Sequence, residues 1–298
     1  MKKPLPHRMV SGAVFPLLLL CRKLFAMLPL SVSYRVMDLL SLLVPFFIKT
    51  EMSRMSTNLS MAMPEISASE RNVVINGALK HFGRSLAEIL LFDAKSVDSL
   101  LSKVEVHGLE IIQEEMKKGR GAIMITAHLG NWELLGAFLT SRGLPLKVVA
   151  TRSHNRKINE LLVYLRKSRK VETIYRHDSP RQMLKALKNN CLLGMLIDQD
   201  TKVDGVFVDF FGQPAYTAKG PAVLSMATGA PVIPTFIRRT PEGGHEVFIE
   251  EPVEMEKTKD KEKDILINTQ KLSRIIEKYI RKYPEQWVWM HNRWKTRP

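Results

Sequence analysis

The chain has 298 residues, 45% hydrophobic and 25% charged. That is the balance of an ordinary globular protein of one large domain or two small ones, and it excludes disorder, collagen and coiled coil as the principal state. Lys and Arg number 45 against 30 Asp and Glu, and the resulting +15 points to an anionic partner: nucleic acid, an anionic membrane surface, a phosphorylated substrate or an acidic protein. Two cysteines, Cys21 and Cys191, are too few for a disulfide framework and imply reduced, inert thiols.

Met9 to Ile48 is far richer in Leu, Phe, Val and Met than the rest of the chain. Arg22–Lys23, Arg35 and Asp38 break it into uncharged runs over 9–21, 24–34 and 39–48. Each is shorter than the roughly 20 residues of a comfortable transmembrane helix. A basic start, MKKPLPHR, followed by apolar residues resembles a signal peptide, but no small-x-small cleavage site follows. Interfacial or shallowly inserted helices, with cations meeting lipid head groups, are therefore expected for residues 1–50, and residues 51–298 are expected to form the main folded domain. Residues 49–72, polar and rich in Ser and Met, read as a connection.

A helical apolar pattern follows from Val73 to Leu91. Short apolar runs then occur at Ala122–Thr126, Leu146–Ala150, Cys191–Ile197 and Val232–Ile237. Helical stretches lie near Trp132–Thr140, Asn155–Arg169, Pro180–Asn189 and Ala218–Thr228, and Asp264–Tyr283 reads as a closing helix. The charged EMEKTKDKEKD at 254–264 reads as a solvated loop. This alternation predicts an α/β domain with a mixed, largely parallel sheet flanked by helices.

The densest chemical signal is His128-Leu129-Gly130-Asn131-Trp132-Glu133, directly after the apolar run AIMIT. A strand ending there delivers His128 to the carboxyl edge of the sheet, where open α/β sheets place their sites. Gly130 permits a tight turn, Asn131 is a good helix N-cap, and Glu133 falls in the first helical turn, where the dipole favours a carboxylate. The expected division of labour has Glu133 orient and stabilise the imidazole while His128 removes a proton from a hydroxyl. His291 is the only other histidine with unusual neighbours. No G-x-S-x-G elbow, no G-x-x-x-x-G-K-S/T loop and no H-E-x-x-H motif occurs, so direct attack by an activated substrate hydroxyl is the simplest mechanism.

HLGNWE resembles the H-x(4)-D/E motif of the glycerolipid acyltransferase superfamily, in the form found in the bacterial lipid A late acyltransferases. Further blocks resemble that family in order: TRSHNRKIN around Arg152 and Asn155, Asp198-Gln199-Asp200 followed by VDFFG, Thr217 to Ala222 with Lys219, GAPVIP at 229–234, and the ending QWVWMHNRWKTRP. The resemblance covers roughly residues 10–298. It implies transfer of a fatty acyl chain from an acyl carrier protein thioester to a hydroxyl of a Kdo-bearing lipid A precursor, at the cytoplasmic face of the cell inner membrane. It also implies His128 as general base, Glu133 as its partner, and Arg152 as the group that positions phosphate or stabilises the oxyanion. Asn131, Trp132, Asn155, Asp198, Asp200 and Lys219 are implied as substrate-binding positions. No cofactor and no metal is called for.

Each block also has a direct physical reading. Residues 151–188 carry eleven Lys and Arg against Glu160, Glu172 and Asp178, either a solvated helix face or a surface for phosphates or an acidic carrier protein. Asp198 and Asp200 follow the run CLLGMLI and would hold a sugar hydroxyl or Arg152, or cap a helix. Trp287, Trp289 and Trp294, interleaved with cations, suit a membrane-interface or substrate-edge position, or else a packed tail. A nucleic-acid-binding role is disfavoured, because no helix-turn-helix, RRM or zinc-finger pattern is present. Acyl-CoA-dependent transfer to another membrane glycolipid or aminolipid is the alternative enzymatic reading.

Overall fold

The structure, a computed structural model, describes residues 5–153, 155–176, 180–201 and 203–298, the first ten of these as backbone. Among the described residues, five helices precede the first strand: α1 (Leu5–Ala26), α2 (Leu30–Phe47), α3 (Lys49–Ala62), α4 (Ala68–Leu90) and α5 (Lys95–Ser102). Then come β1 (Glu105–His107), α6 (Leu109–Lys117), β2 (Ala122–Thr126), α7 (Trp132–Ser141), β3 (Leu146–Ala150), α8 (Arg156–Ser168), β4 (Glu172–Tyr175), α9 (Pro180–Lys188) and β5 (Leu192–Leu196). The chain finishes with β6 (Gly205–Phe210), β7 (Gln213–Ala218), α10 (Gly220–Thr228), β8 (Val232–Arg239), β9 (His245–Ile249) and α11 (Lys261–Lys282).

Seven strands form one sheet in the order β1-β9-β8-β2-β5-β3-β4. The five from β8 to β4 run parallel, while β9 is antiparallel to β8 and parallel to β1. This is the mixed, largely parallel sheet flanked by helices that the alternating runs predict. β6 and β7 form a separate hairpin whose two-residue turn, Phe211-Gly212, has φ of +57° and +71°, the left-handed pair that a tight hairpin requires.

Strand alternation divides the core between the two faces. Ile123, Ile125, Leu193 and Met195 face α9, α10 and α11, where Leu187, Leu224, Leu272 and Ile276 complete the layer. Ala122, Met124 and Leu192 face the other way, onto Leu134, Leu135 and Phe138 of α7 and Leu165 of α8.

Two expectations need correction. Residues 49–72 are not a connection: α3 occupies most of them, with Met55 and Leu59 fully buried and Ala62 and Met63 beside them. Methionines that look like loop filler fall on one helical face and enter the core. α4 also starts earlier than its apolar pattern, at a capping box in which the Ser67 hydroxyl accepts from the Glu70 N–H and the Glu70 carboxylate accepts from the Ser67 N–H. The charged 254–264 stretch is a loop only to Asp260, and its last four residues open α11. Asp264 there is fully buried, accepting from the Thr258 N–H and hydroxyl at 2.6 and 2.8 Å.

The N-terminal helices lie on α4. Asp38 receives both arms of the Arg84 guanidinium at 2.7 and 2.6 Å, and Arg22 donates to the Leu90 carbonyl at 3.2 Å and to Asp93. Two of the charges that interrupt the apolar runs are thus spent inside the protein, while Lys23 and Arg35 stay exposed. Leu39, Leu42, Leu43, Phe46 and Phe47 recur at i, i+3, i+4, i+7 and i+8 and leave a stripe that is 55–85% exposed. α2, with 18 residues and mean hydropathy 1.4, is long and apolar enough to cross a membrane by length and composition.

Candidate active site

β2 and β5 pair in parallel with Ala122 opposite Leu192 and Thr126 opposite Leu196. Carried two residues past the last pair, that register sets His128 beside Asp198. Their contact is double: Asp198 Oδ2 accepts the His128 N–H and Asp198 Oδ1 faces His128 Nδ1, each at 2.8 Å. The Trp287 indole N–H also donates to Asp198 Oδ2, at 2.7 Å. Burial works to raise the pKa of this carboxyl, but the charge of His128 and the hydrogen bonds from His128 and Trp287 outweigh it and hold the carboxyl below the usual aspartate value. An ionised carboxylate only accepts, so Nδ1 carries a proton, and in the neutral form of the ring the lone pair stands on Nε2. Nε2 makes no hydrogen bond among the described residues. The Trp132 ring meets the imidazole edge-on, with centroids 4.9 Å apart.

The turn that presents His128 is built on a glycine. Gly130 has φ of +59°, and a Cβ there would stand 1.9 Å from the Ile237 carbonyl oxygen, so no other residue fits. The C-terminal segment clasps the turn: the Gly130 N–H donates to the Gln286 carbonyl at 3.0 Å, and the Val288 N–H donates to the His128 carbonyl at 3.2 Å. Asn131 caps α7 by accepting from the Leu134 N–H at 3.1 Å, and its amide donates to Glu88 Oε2 at 2.6 Å. Glu88 is fully buried and takes both arms of Arg239 at 2.5 and 3.0 Å, together with the Tyr34 hydroxyl of α2. Burial would raise its pKa, but His245 and Arg239 outweigh that and hold it well below the carboxylate range.

Glu133 does not reach the imidazole. Helix α7 begins at Trp132, and its first turn carries residue 133 toward α8, where Arg166 Nε and a terminal nitrogen donate to the two carboxylate oxygens at 2.8 and 2.5 Å. The pair is largely buried, and Glu133 outweighs the cost of burial to raise the Arg166 pKa. The place expected of Glu133 beside the ring is occupied by Asp198, and Glu133 instead holds a guanidinium in the wall of the same cavity.

That cavity, of about 680 Å³, runs from His128 down the α7 side of the sheet. Met124, Val148, Leu196 and Val171 make its apolar depth, Gly136 leaves room along α7, and Trp132, Glu133, Arg166, Asp200, His291 and Lys295 line its upper part. Asp200 ties down the C-terminal segment: its carboxylate accepts from the Thr296 N–H at 2.9 Å, and its carbonyl accepts from Lys295 at 2.9 Å and lies 3.0 Å from His291 Nε2. Burial lowers the His291 pKa.

Three expected site residues lie elsewhere. Arg152 is exposed and stacks on the Tyr175 ring at 4.4 Å, outside the cavity lining. The Asn155 side chain caps α8, accepting from the Lys157 and Ile158 N–H groups. Lys219 precedes α10 and pairs with Asp204 at 2.9 Å. The basic stretch is not simply a solvated face either. Arg166 is held by Glu133, and Arg169 donates to the Phe92 and Ala94 carbonyls and pairs with Asp98. Asp178 lies outside the described residues. The three tryptophans are a packed tail, Trp287 at 2%, Trp289 at 0% and Trp294 at 3% exposure, so a membrane-interface position for them is ruled out.

Residues 3–296 match the sequence profile of the bacterial lipid A biosynthesis acyltransferases. The chain is similar to the lipid A biosynthesis palmitoleoyltransferase of Escherichia coli (strain K12), 28% identical over 256 residues that make up 85% of this chain and 81% of that one. It is similar to the lipid A biosynthesis lauroyltransferase of the same organism, 29% identical over 277 residues, 92% and 89% of the two chains. A more partial likeness, 26% over 184 residues, 60% of this chain and 58% of the other, links it to the phosphatidylinositol mannoside acyltransferase of Mycobacterium tuberculosis (strain ATCC 25618 / H37Rv). With a profile that spans nearly the whole chain, the protein belongs to the bacterial lipid A biosynthesis acyltransferase family and is an acyltransferase.

Proposed function

We propose that this enzyme moves a fatty acyl chain from an acyl carrier protein thioester to a hydroxyl of a Kdo-bearing lipid A precursor, at the cytoplasmic face of the cell inner membrane. The observation that carries the reading is the His128–Asp198 pair at the mouth of a cavity with an apolar depth. His128 Nε2 takes the proton of the acceptor hydroxyl as its oxygen attacks the thioester carbonyl. The tetrahedral oxyanion collapses with loss of the thiolate, and the imidazolium returns its proton to the leaving sulfur. Asp198 holds the ring in the correct tautomer and offsets its transient charge. Met124, Val148 and Leu196 exclude water beside the reacting carbon, and the Glu133–Arg166 pair stiffens the α7–α8 wall.

The exposed stripe of α2 and the apolar residues Leu17, Leu20 and Leu24 of α1 seat the enzyme on the bilayer that holds its acceptor. Each acceptor CH₂ drawn into water would cost about 0.8 kcal/mol, so the enzyme goes to the lipid. The likeness to a phosphatidylinositol mannoside acyltransferase favours one second reading, acyl-CoA-dependent transfer to another membrane glycolipid. Incubating purified enzyme and a Kdo-bearing precursor with either thioester, followed by mass spectrometry of the lipid, separates them. Acylation from the carrier protein alone supports the first reading, and acylation from acyl-CoA alone overturns it.

A further inference from the structure

Arg176 follows the last residue of β4, and its backbone N–H continues the ladder by donating to the Ala150 carbonyl at 3.0 Å. Its origin is therefore fixed by the sheet. The residue lines the cavity that holds His128 and is half-buried. The other cations of that lining are already satisfied: Arg166 by both oxygens of Glu133, and Lys295 by the Asp200 carbonyl with its carboxylate 3.6 Å away. The Arg176 side chain makes no hydrogen bond or ion pair among the described residues. Among the described residues the acids of the lining are Glu133 and Asp200, both taken, so the described lining holds one guanidinium more than its carboxylates can neutralise. Burial alone lowers the Arg176 pKa, as expected of a cation that has lost water and gained no counter-ion.

We propose that Arg176 is the phosphate-binding residue of the active cavity, taking a phosphate group carried by one of the two substrates; this rests on the acyl-transfer reading above. A planar guanidinium with parallel donors matches phosphate oxygens in a bidentate fashion. The sheet order determines what kind of contact this is. β5 and β3 stand between β2 and β4, so at about 4.8 Å per strand the backbone of Arg176 starts roughly 14 Å from that of β2. The guanidinium thus enters from the far wall of the cavity, and the anion it holds is several bonds from the reacting carbonyl. It reads a substrate and does not stabilise the oxyanion. Two phosphates suit that distance: one on the acceptor glycolipid, and the phosphodiester of the donor's prosthetic arm.

The test compares wild type, R176Q and R176K in the full chain, each shown to be folded by its unfolding midpoint. Acceptors are used with and without phosphate, and donors as carrier-protein thioesters or as N-acetylcysteamine thioesters, which lack a phosphodiester. R176Q should raise KM for one phosphate-bearing substrate by about 10–100-fold, with kcat within a few-fold and no change for its phosphate-free counterpart. R176K should fall between. The substrate whose KM moves identifies the phosphate. If acceptor is that substrate, a second readout separates this contact from the transfer reaction: saturation binding of phosphorylated and dephosphorylated glycolipid in detergent to the H128A protein, with and without R176Q. Phosphate-dependent binding lost in R176Q supports the contact even where wild type transfers no acyl chain. Equal effects of R176Q on phosphorylated and dephosphorylated substrates, or no effect on either, overturn it even where transfer proceeds.

Discussion

Asp198 grips His128 at two points, the backbone N–H and Nδ1, both at 2.8 Å, from a position two residues past the end of the neighbouring strand. Because each residue follows its own strand by the same offset, the parallel register that holds the sheet together also fixes the imidazole. Rigid strand ends place this pair, so its geometry leaves little room for movement. Trp287 adds a third hydrogen bond to the same carboxylate and joins the C-terminal segment to the site.

Removing the base should therefore be costly and removing its anchor nearly as visible. His128→Ala is expected to lower kcat by about 10²–10⁴-fold. Asp198→Asn keeps the shape but loses the charge that favours the Nδ1–H tautomer. It is expected to lower kcat with little change in KM and to shift the pH profile of kcat toward lower pH, since the imidazolium loses its counter-ion. Steady-state kinetics of folded variants between pH 5 and 8 check this. A D198N enzyme with wild-type kcat and pH profile would show that the ring needs no anchor.

Glu133 and Arg166 are expected to behave as one unit. Removing either partner of a largely buried ion pair strands the other charge, at about 3–5 kcal/mol. Glu133→Gln and Arg166→Gln should each lower the unfolding free energy by that order, and the double variant should lose clearly less than the sum. Urea unfolding of the four proteins gives the coupling energy. Strict additivity would mean that the two side chains do not depend on each other.

Much of this arrangement is readable in the sequence, and each failure has a physical cause. β2 and β3 coincide with their apolar runs, and Asn131 caps α7 as its type and place suggest, because strands and caps are encoded locally. The partner of His128 is not local. A six-residue window offers Glu133, whereas the real partner lies 70 residues on and is identified only once β2 and β5 are known to be neighbours. A signal was present: His128 and Asp198 each stand within two residues of the end of an apolar run of strand length. The burial of α3 was missed for a different reason. Met55, Leu59 and Met63 have the spacing of a helix face, but composition weighed as polar hides it.

Stability below neutral pH should report on His81. Burial foremost, and then the charge of Arg239, lower its pKa from 6.5 to about 3. Below pH 6.5 the unfolded chain binds a proton that the folded chain does not, so stability is fully present above 6.5 and falls as pH drops toward the folded value. The slope from this one group is at most about 1.36 kcal/mol per pH unit. His291, also depressed by burial, adds a loss of the same sign. Chemical unfolding of wild type and His81→Gln between pH 7 and 5 should show a shallower decline in the variant. Parallel curves would mean that the His81 proton equilibrium does not differ between the two states.

Membrane attachment is best tested without cutting the chain. Deleting residues 1–48 would remove Asp38 from Arg84, Tyr34 from Glu88 and Phe25 from the core, so loss of activity would report damage to α4 as much as release from lipid. Leu39, Leu42, Phe46 and Phe47 offer a cleaner handle, because each is at least 66% exposed on one stripe of α2 and takes no part in those contacts. Replacing all four with Ser removes apolar area that water already sees in the isolated protein, so the unfolding midpoint should barely change. Burying each of these side chains in a bilayer interface is worth about 1.5–3 kcal/mol. Their loss should therefore move much of the protein from the membrane pellet to the supernatant. Transfer to an acceptor in bilayers should drop more than transfer to the same acceptor in detergent. A fourfold variant that is folded and still sediments fully with membranes would place the attachment elsewhere on the molecule.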